Sequence, residues 1–409
     1  MKSQKDIVII GAGASGLAAA GKAAEKGKTV VVLERNEKSG KKLYITGKGR
    51  CNLTNRCEPR DFLSNVINGG KFLQSCLYRF PPSYTMELFE KLGVRLKTER
   101  GNRVFPESDK SSDIIKALVR YATAHDTELI LNDRVVKAQK KAEFFEVHTE
   151  SGNVYLCEKL IIACGGKSYP STGSSGDGYV FATCFGHSVV KPIAALAPIR
   201  LKSRVADIEG LSLKNVSVKA AGQGFSESGF GELLFTSDGV SGPVPLTLSS
   251  RINRKNLNGA KLTIDLKPAL DEDKLDSRVL SDFKKYSNKQ LKNALFDLLP
   301  RSLVPFIIEY CGLDGDTFVN NVTRQQRERL LRALKGLAFE IDSVYDVEHA
   351  IVTSGGVSLK EVNPSTMESK IVEGLYFAGE TLDVDAVTGG FNIQIALSTG
   401  FAAGESAGG

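Results

Sequence analysis

The first forty residues constrain the fold more than any other part of the chain. An apolar run, Ile7-Val8-Ile9-Ile10, leads directly into Gly11-Ala12-Gly13-Ala14-Ser15-Gly16, and a small-residue helix, Leu17 to Ala24, follows. After Lys26-Gly27 a second apolar run, Thr29 to Leu33, ends on Glu34. Strand, glycine turn, helix, strand and acid, with the acid about twenty residues past the glycines, is the pattern of a dinucleotide-binding βαβ unit. Gly11 permits the tight turn, Gly13 lets a pyrophosphate approach the backbone, and Gly16 lets the helix pack closely on the sheet. The helix start offers unpaired N–H groups and about half a positive charge to phosphates. Glu34 can accept hydrogen bonds from ribose hydroxyls, and its charge would repel a 2′-phosphate.

The 409 residues suggest two or three domains, and 42% hydrophobic with 25% charged residues is ordinary for a globular chain. A net charge of +7 admits anionic ligands without indicating nucleic acid. Lys2 and Lys5 precede an apolar stretch, but Asp6 interrupts them and the stretch is the glycine fingerprint, so no signal peptide is read. No apolar run is long enough for a membrane span. Seven scattered cysteines, without Cys-x-x-Cys, and four histidines give no zinc spacing; no metal is expected, and reduced thiols fit a cytoplasmic protein.

Glu34 to Asn55 reads as a loop rich in Gly and Lys. Helical patterns follow at Thr85–Leu92 and Ser111–His125, then short strands at Arg134–Ala138, Phe144–Thr149 and Val154–Cys157. A buried strand, Leu160–Ala163, ends in Cys164-Gly165-Gly166. From about residue 193 to 268 the alternation reads as β structure. From Asp271 to Leu337 the pattern is helical, with Leu291, Leu295 and Leu298 on one face and a Thr323/Gln326 capping box, and residues 338–349 look extended again. Near the end, Gly374 to Glu380 forms a buried strand, and Thr388-Gly389-Gly390-Phe391-Asn392 opens an apolar helix from Ile393 to Ala403. A second strand–glycine–helix unit so far along implies a discontinuous nucleotide domain. Residues 1–192 and 350–409 would form it, with 193–270 and 336–349 as a β insert and 271–335 as a helical part.

Several long strings resemble one family. They are Gly11–Gly16, Thr46-Gly-Lys-Gly-Arg50-Cys51-Asn52-Leu-Thr54-Asn55, Gly165–Gly173, Gly231–Pro243, Thr353-Ser-Gly-Gly-Val357, Thr366–Lys370 and Thr388–Asn392. Together they look like the BaiN-like (YhiN-like) FAD-dependent oxidoreductases, also called the aminoacetone oxidase family, nearly end to end. The resemblance implies an α/β fold: a Rossmann-like FAD-binding domain in three ββα layers, as in the glutathione reductase superfamily. The inserted domain would be β-barrel-like and carry a helical subdomain. It also implies non-covalent FAD and an oxidoreductase acting on small molecules, by amino-ketone oxidation or by NAD(P)H-driven enone reduction. NAD(P)H would be at most a transient donor, since no second full glycine fingerprint is present.

Carried onto this chain, Gly11, Gly13, Ala14, Ser15 and Gly16 hold the pyrophosphate, Glu34 the adenosine ribose, and Arg35 and Val135 flank the adenine. Ala163, Gly165 and Gly166 close the meander near the cofactor. Gly379 and Glu380 meet the ribityl chain, and Gly390, Phe391, Asn392 and Ile393 face the flavin pyrimidine edge, where reduction adds negative charge. The basic residues Lys38, Lys41, Lys42, Lys48 and Arg50, interleaved with Gly40, Gly47 and Gly49, suit an anion. Of these, Lys42, Gly49 and Arg50, together with Cys51 and Asn52, are taken as cofactor contacts. Arg50, Cys51 and Asn52 are also the catalytic candidates, with packing the alternative role for Cys51. His187 follows a helix-stop signal, His349 lies near the insert junction, and His125 and His148 read as surface residues; none is named as a base. The substrate would lie over the flavin, between the nucleotide domain and the insert.

Two other functions fit less well. One is a flavin-dependent RNA-modifying protein, using Arg324, Arg327, Arg329, Arg332 and Lys335; the other is a non-enzymatic flavin redox sensor. Gly13→Val is expected to abolish FAD retention by blocking the pyrophosphate, and flavin absorbance of the purified variant checks this.

Overall fold

The computed structural model describes residues 2–409. The chain forms two compact units: one comprises the chain up to Ala195 together with Asp346–Gly409, the other Leu196–Tyr345.

The first unit is built on a seven-stranded sheet. Its leading elements are β1 (Lys2–Ile10), helix α1 (Ala14–Ala24), β2 (Val30–Leu33) and a two-residue strand, β3 (Thr54–Asn55), that lies outside this sheet. Then come β4 (Thr127–Ile130), β5 (Val135–Lys141), β6 (Phe144–Thr149), β7 (Val154–Ile162), β8 (Leu375–Phe377) and the terminal helix α2 (Phe391–Gly408). The sheet order is β4-β2-β1-β7-β6-β5, with β8 also paired to β7. The parallel strands β1 and β2 are buried along their apolar runs, as a sheet covered on both faces requires.

Strand β7 joins two kinds of sheet. Val154–Cys157 pair antiparallel with β6, whereas Leu160–Ile162 pair parallel with β8. On its other edge β1 accompanies it from Lys2↔Val154 to Ile10↔Ile162. The two strands predicted at 154–157 and 160–163 are therefore one strand, because β1 holds it continuous while the opposite partner changes.

Helices α1 and α2 cross with almost no side chain between them. A Cβ on Gly400 would stand 2.3 Å from the Ser15 carbonyl oxygen, and one on Gly404 would stand 2.2 Å from that of Ala19. On the other side of α1, Gly21 lies under the Tyr121 ring, on helix Ser111–Ala122. Phe401 of α2 packs against Phe80, Tyr84 and Tyr121 at centroid distances of 5.4, 5.3 and 6.2 Å. Among the described residues, no helix is long and apolar enough to cross a membrane.

The second unit contains a closed six-stranded barrel. Its strands are Ile199–Leu201, Gly239–Ser241, Phe225–Thr236, Ser212–Gly222, Lys261–Asp265 and Leu337–Val344, in that order around the wall. Leu337–Val344 closes it by pairing with both Lys261–Ile264 and Ile199–Leu201. Helices Glu272–Lys285, Leu303–Tyr310 and Arg324–Lys335 belong to the same unit. The Thr323 capping box forms, with Gln326 Oε1 accepting the Thr323 N–H at 2.8 Å.

Several expected element types differ. The stretch read as wholly β contains helix Pro243–Ile252, whose Val244, Leu248 and Ile252 recur at helical spacing behind a proline at its start. Leu291, Leu295 and Leu298 are buried, but they span a short helix (Leu291–Ala294) and a 3-10 turn (Leu295–Asp297) rather than one helix face. The basic loop contains helix Lys41–Ile45, too short to show a period.

Gly404→Ala should destabilise the protein by about 1–3 kcal/mol, because the new methyl meets main chain that cannot swing aside. Equilibrium chemical denaturation checks this, and an unchanged midpoint would mean that the helices can separate freely.

Candidate functional site

The C-terminal ends of the parallel strands, where such sheets bind ligands, gather most of the residues singled out from the sequence. All the residues expected to touch the cofactor lie in the first unit. The three fingerprint glycines do different jobs. Gly11 has φ +104° and a Cβ would fall 2.6 Å from the Ala163 carbonyl oxygen, so the β1 turn sits directly on the end of β7. A Cβ on Gly16 would stand 1.9 Å from the Gly11 carbonyl oxygen. At Gly13 there is nothing within 4 Å. That open position stands at the start of a helix without a side-chain cap, a geometry that fits an approaching pyrophosphate.

Glu34 is 7% exposed and pinned at both oxygens. Oε2 accepts the Ala12 N–H at 2.8 Å, and Oε1 accepts the main-chain and side-chain N–H groups of Asn36 at 2.9 and 2.6 Å. A carboxylate has about four acceptor positions, so the orientation is fixed while capacity for a hydroxyl remains. Main-chain Glu34 also accepts the Asp133 N–H at 3.0 Å, which brings buried Val135 alongside. Arg35 is drawn to Ser175 Oγ (2.8 Å) and Asp177 (3.4 Å), and Arg134 makes two contacts to the same Asp177.

Glu380 follows Gly379, whose φ of +70° places the absent Cβ 2.5 Å from Ser15 Oγ. Glu380 Oε1 accepts the Thr353 N–H at 2.6 Å and Ser168 Oγ–H at 3.0 Å; Oε2 accepts Lys42 Nζ at 2.7 Å, and Lys42 also donates to Ser168 Oγ at 2.6 Å. Gly166 lies under this group, its missing Cβ 2.3 Å from Thr353 Oγ1, while Gly165 (φ +75°) turns the chain beneath Ser174. Ser168 and Thr353 were not singled out from the sequence: each lies in a family string, but a lone hydroxyl has no spacing signature.

The basic loop does not converge on one anion. Lys38 stands 4.7 Å over the Tyr44 ring, Lys41 pairs with Glu37, and Lys42 pairs with Glu380. Arg50 pairs with Glu99 at 2.8 Å and Asp109 at 3.3 Å and stacks 4.2 Å over Phe105. Its charge is thereby spent within the protein. Gly49 (φ +85°) closes the turn before it.

Cys51 is fully buried with φ +59°, and its N–H is accepted by the Thr46 carbonyl at 3.0 Å. Burial pushes its thiol up to about 12, which suits packing and disfavours a thiolate. Asn52 is half-buried against the start of α2, accepting the Gly390 N–H at 3.0 Å. The Asn392 side chain bonds main-chain Ala386 in both directions, so it is the main-chain N–H groups of Phe391, Asn392 and Ile393 that the helix start presents.

His187 takes the helix-stop position, its N–H accepted by Ala182 after Gly186 at φ +85°. Its ring is buried between Ser369 Oγ (2.7 Å) and Glu361 (3.3 Å). His125 and His349 are exposed; His148 is half-buried, 3.6 Å from Glu146. All seven cysteines are free. With Ellman's reagent at pH 8 in the native state, exposed Cys184 should react and Cys51 should stay silent until unfolding. A Cys184→Ser variant that keeps the fast phase would contradict this.

The chain matches the HI0933-like protein Rossmann domain over residues 5–406. It is 31% identical to a 3-dehydro-bile acid delta(4,6)-reductase of Clostridium scindens, covering 98% of each chain. It is also 31% identical to a ribosomal RNA dihydrouridine synthase of Escherichia coli, covering 97% of this chain and 96% of that one. A solved 3-ketosteroid-delta4-(5alpha)-dehydrogenase from Rhodococcus jostii shares the fold, with a TM-score of 0.54 at 14% identity, covering 100% of this chain and 97% of that one. The fingerprint geometry and these full-length matches agree: the chain belongs to the HI0933-like Rossmann family, the BaiN-like FAD-dependent oxidoreductases.

Proposed function

We propose that this chain holds FAD along the C-terminal edge of its parallel sheet and reduces a carbon–carbon double bond conjugated to a carbonyl. The observation that carries the reading is the open position at Gly13, between backbone-packed Gly11 and Gly16, at the start of an uncapped helix with Glu34 fixed beside it. Gly11, Gly13, Ala14, Ser15 and Gly16 would take the pyrophosphate, and Glu34, Arg35 and Val135 the adenosine. Ala163, Gly165 and Gly166 form the floor. Glu380, held by Lys42, Ser168 and Thr353, offers its remaining acceptor positions to ribityl hydroxyls. The first N–H groups of α2 would meet the pyrimidine edge. Bound FAD supplies hydride transfer at N5.

The reductive direction is supported by the relatives, since both names describe saturation of a carbon–carbon double bond. Amine or amino-ketone oxidation runs the same transfer backwards. NAD(P)H is the proposed electron source, visiting transiently.

A second reading, an RNA substrate, is favoured by the Escherichia coli relative. Helix Arg324–Lys335 is a poor surface for it. Arg324 pairs with Glu328, Arg327 with Asp276 and Lys335 with Asp265, and Arg329 donates to main-chain carbonyls. RNA retention that falls steeply with salt would support this reading.

Anaerobic stopped-flow absorbance near 450 nm, with NADH and NADPH separately, tests the leading reading. Rapid bleaching by either is expected. Persistent yellow colour would assign electron entry to an organic donor and overturn the reductase direction.

A further inference from the structure

Three polar residues of the Arg50–Asn55 string, Asn52, Thr54 and Asn55, reach the start of α2. Asn52 satisfies both ends of its amide in one orientation only: Nδ2 donates to the carbonyls of Thr54 (3.2 Å) and Val104 (3.3 Å), and Oδ1 accepts the Gly390 N–H (3.0 Å). Thr54 Oγ1 donates to Gln394 Oε1 at 2.6 Å, and Gln394 Nε2 donates onward to Ser398 Oγ (2.9 Å) and the Phe80 carbonyl (3.2 Å). Asn55 Nδ2 donates to the carbonyls of Gly389 (3.1 Å) and Gly101 (3.0 Å). Thr54 and Gln394 are wholly buried. Gly390 has φ +95°, and a Cβ there would lie 2.3 Å from the Thr54 carbonyl oxygen, so the first turn of α2 rests directly on strand β3.

A buried polar network with its partners satisfied is rigid, because moving any member leaves another unpaired in low dielectric. This one ends on residues 389, 390 and 394, which bracket the N–H groups of Phe391, Asn392 and Ile393. We infer that Asn52, Thr54 and Asn55 are positioning residues that aim the α2 N-terminus and thereby set the flavin reduction potential. The inference rests on the FAD reading above. Fixed N–H dipoles stabilise charge that develops on reduction most strongly when they need not reorient, and the clamp supplies that fixity. Asn52 thus acts through the helix rather than by touching flavin or substrate.

The test is the midpoint potential of bound flavin, by anaerobic redox titration against a reference dye, in wild type, Asn52→Ala, Thr54→Val and Thr54→Ser. Any variant purified without flavin is first supplied with excess FAD. Asn52→Ala and Thr54→Val should shift the equilibrium about tenfold toward oxidised flavin, ~30 mV lower for a two-electron couple. Thr54→Ser keeps the hydroxyl and should titrate like wild type. Unchanged potentials in Asn52→Ala and Thr54→Val overturn the clamp and leave the FAD reading standing. Failure of both to take up excess FAD also overturns it, because the segment would then serve binding itself. A wild-type protein that takes up no FAD overturns the cofactor reading, and the clamp with it.

Discussion

The first unit depends on the close crossing of α1 and α2. Gly400 and Gly404 let the two main chains touch at Ser15 and Ala19, and Gly379 admits Ser15 from the side. Dispersion falls steeply with distance, so such contact gains packing that bulkier residues could not reach. It also fixes two helix N-termini relative to the same sheet edge. One begins at Gly13 and the other at Gly390, hundreds of residues apart in sequence. Two sources of partial positive charge are thus held in fixed places without a charged side chain.

Formal charges around the site behave differently. Three cations of the loop between Glu34 and Asn55 are drawn to internal partners: Lys42 to Glu380, Arg50 to Glu99 and Asp109, Lys41 to Glu37. A paired, half-buried cation orients its partner more than it attracts a ligand. Glu380 illustrates this, since three hydrogen bonds, from Lys42, Ser168 and Thr353, hold one carboxylate in one place.

How far the sequence was legible varied with the kind of interaction. The βαβ fingerprint was readable because each of its glycines answers a local demand, turn, approach or packing, at fixed spacing. The Thr323 box was readable for the same reason, its partners being three residues apart. Helix Pro243–Ile252 was missed although its apolar spacing was present, because surrounding β alternation dominated the window. Strand β7 was split in two because its partners change midway, and pairing is not written in one strand. The partner of Asn52 at Gly390 is invisible without the fold.

The sequence by itself determined the βαβ start, the second strand–glycine–helix unit and, through its resemblance, family membership. Each is encoded by short-range periodicity or by contiguous strings. Only the tertiary structure decided which polar residue meets which: Thr54 with Gln394, Ser168 with Glu380, Arg50 with Glu99. Those pairings join residues far apart along the chain. A buried donor takes whichever acceptor the packed backbone brings within about 3 Å, and sequence spacing carries no record of that choice.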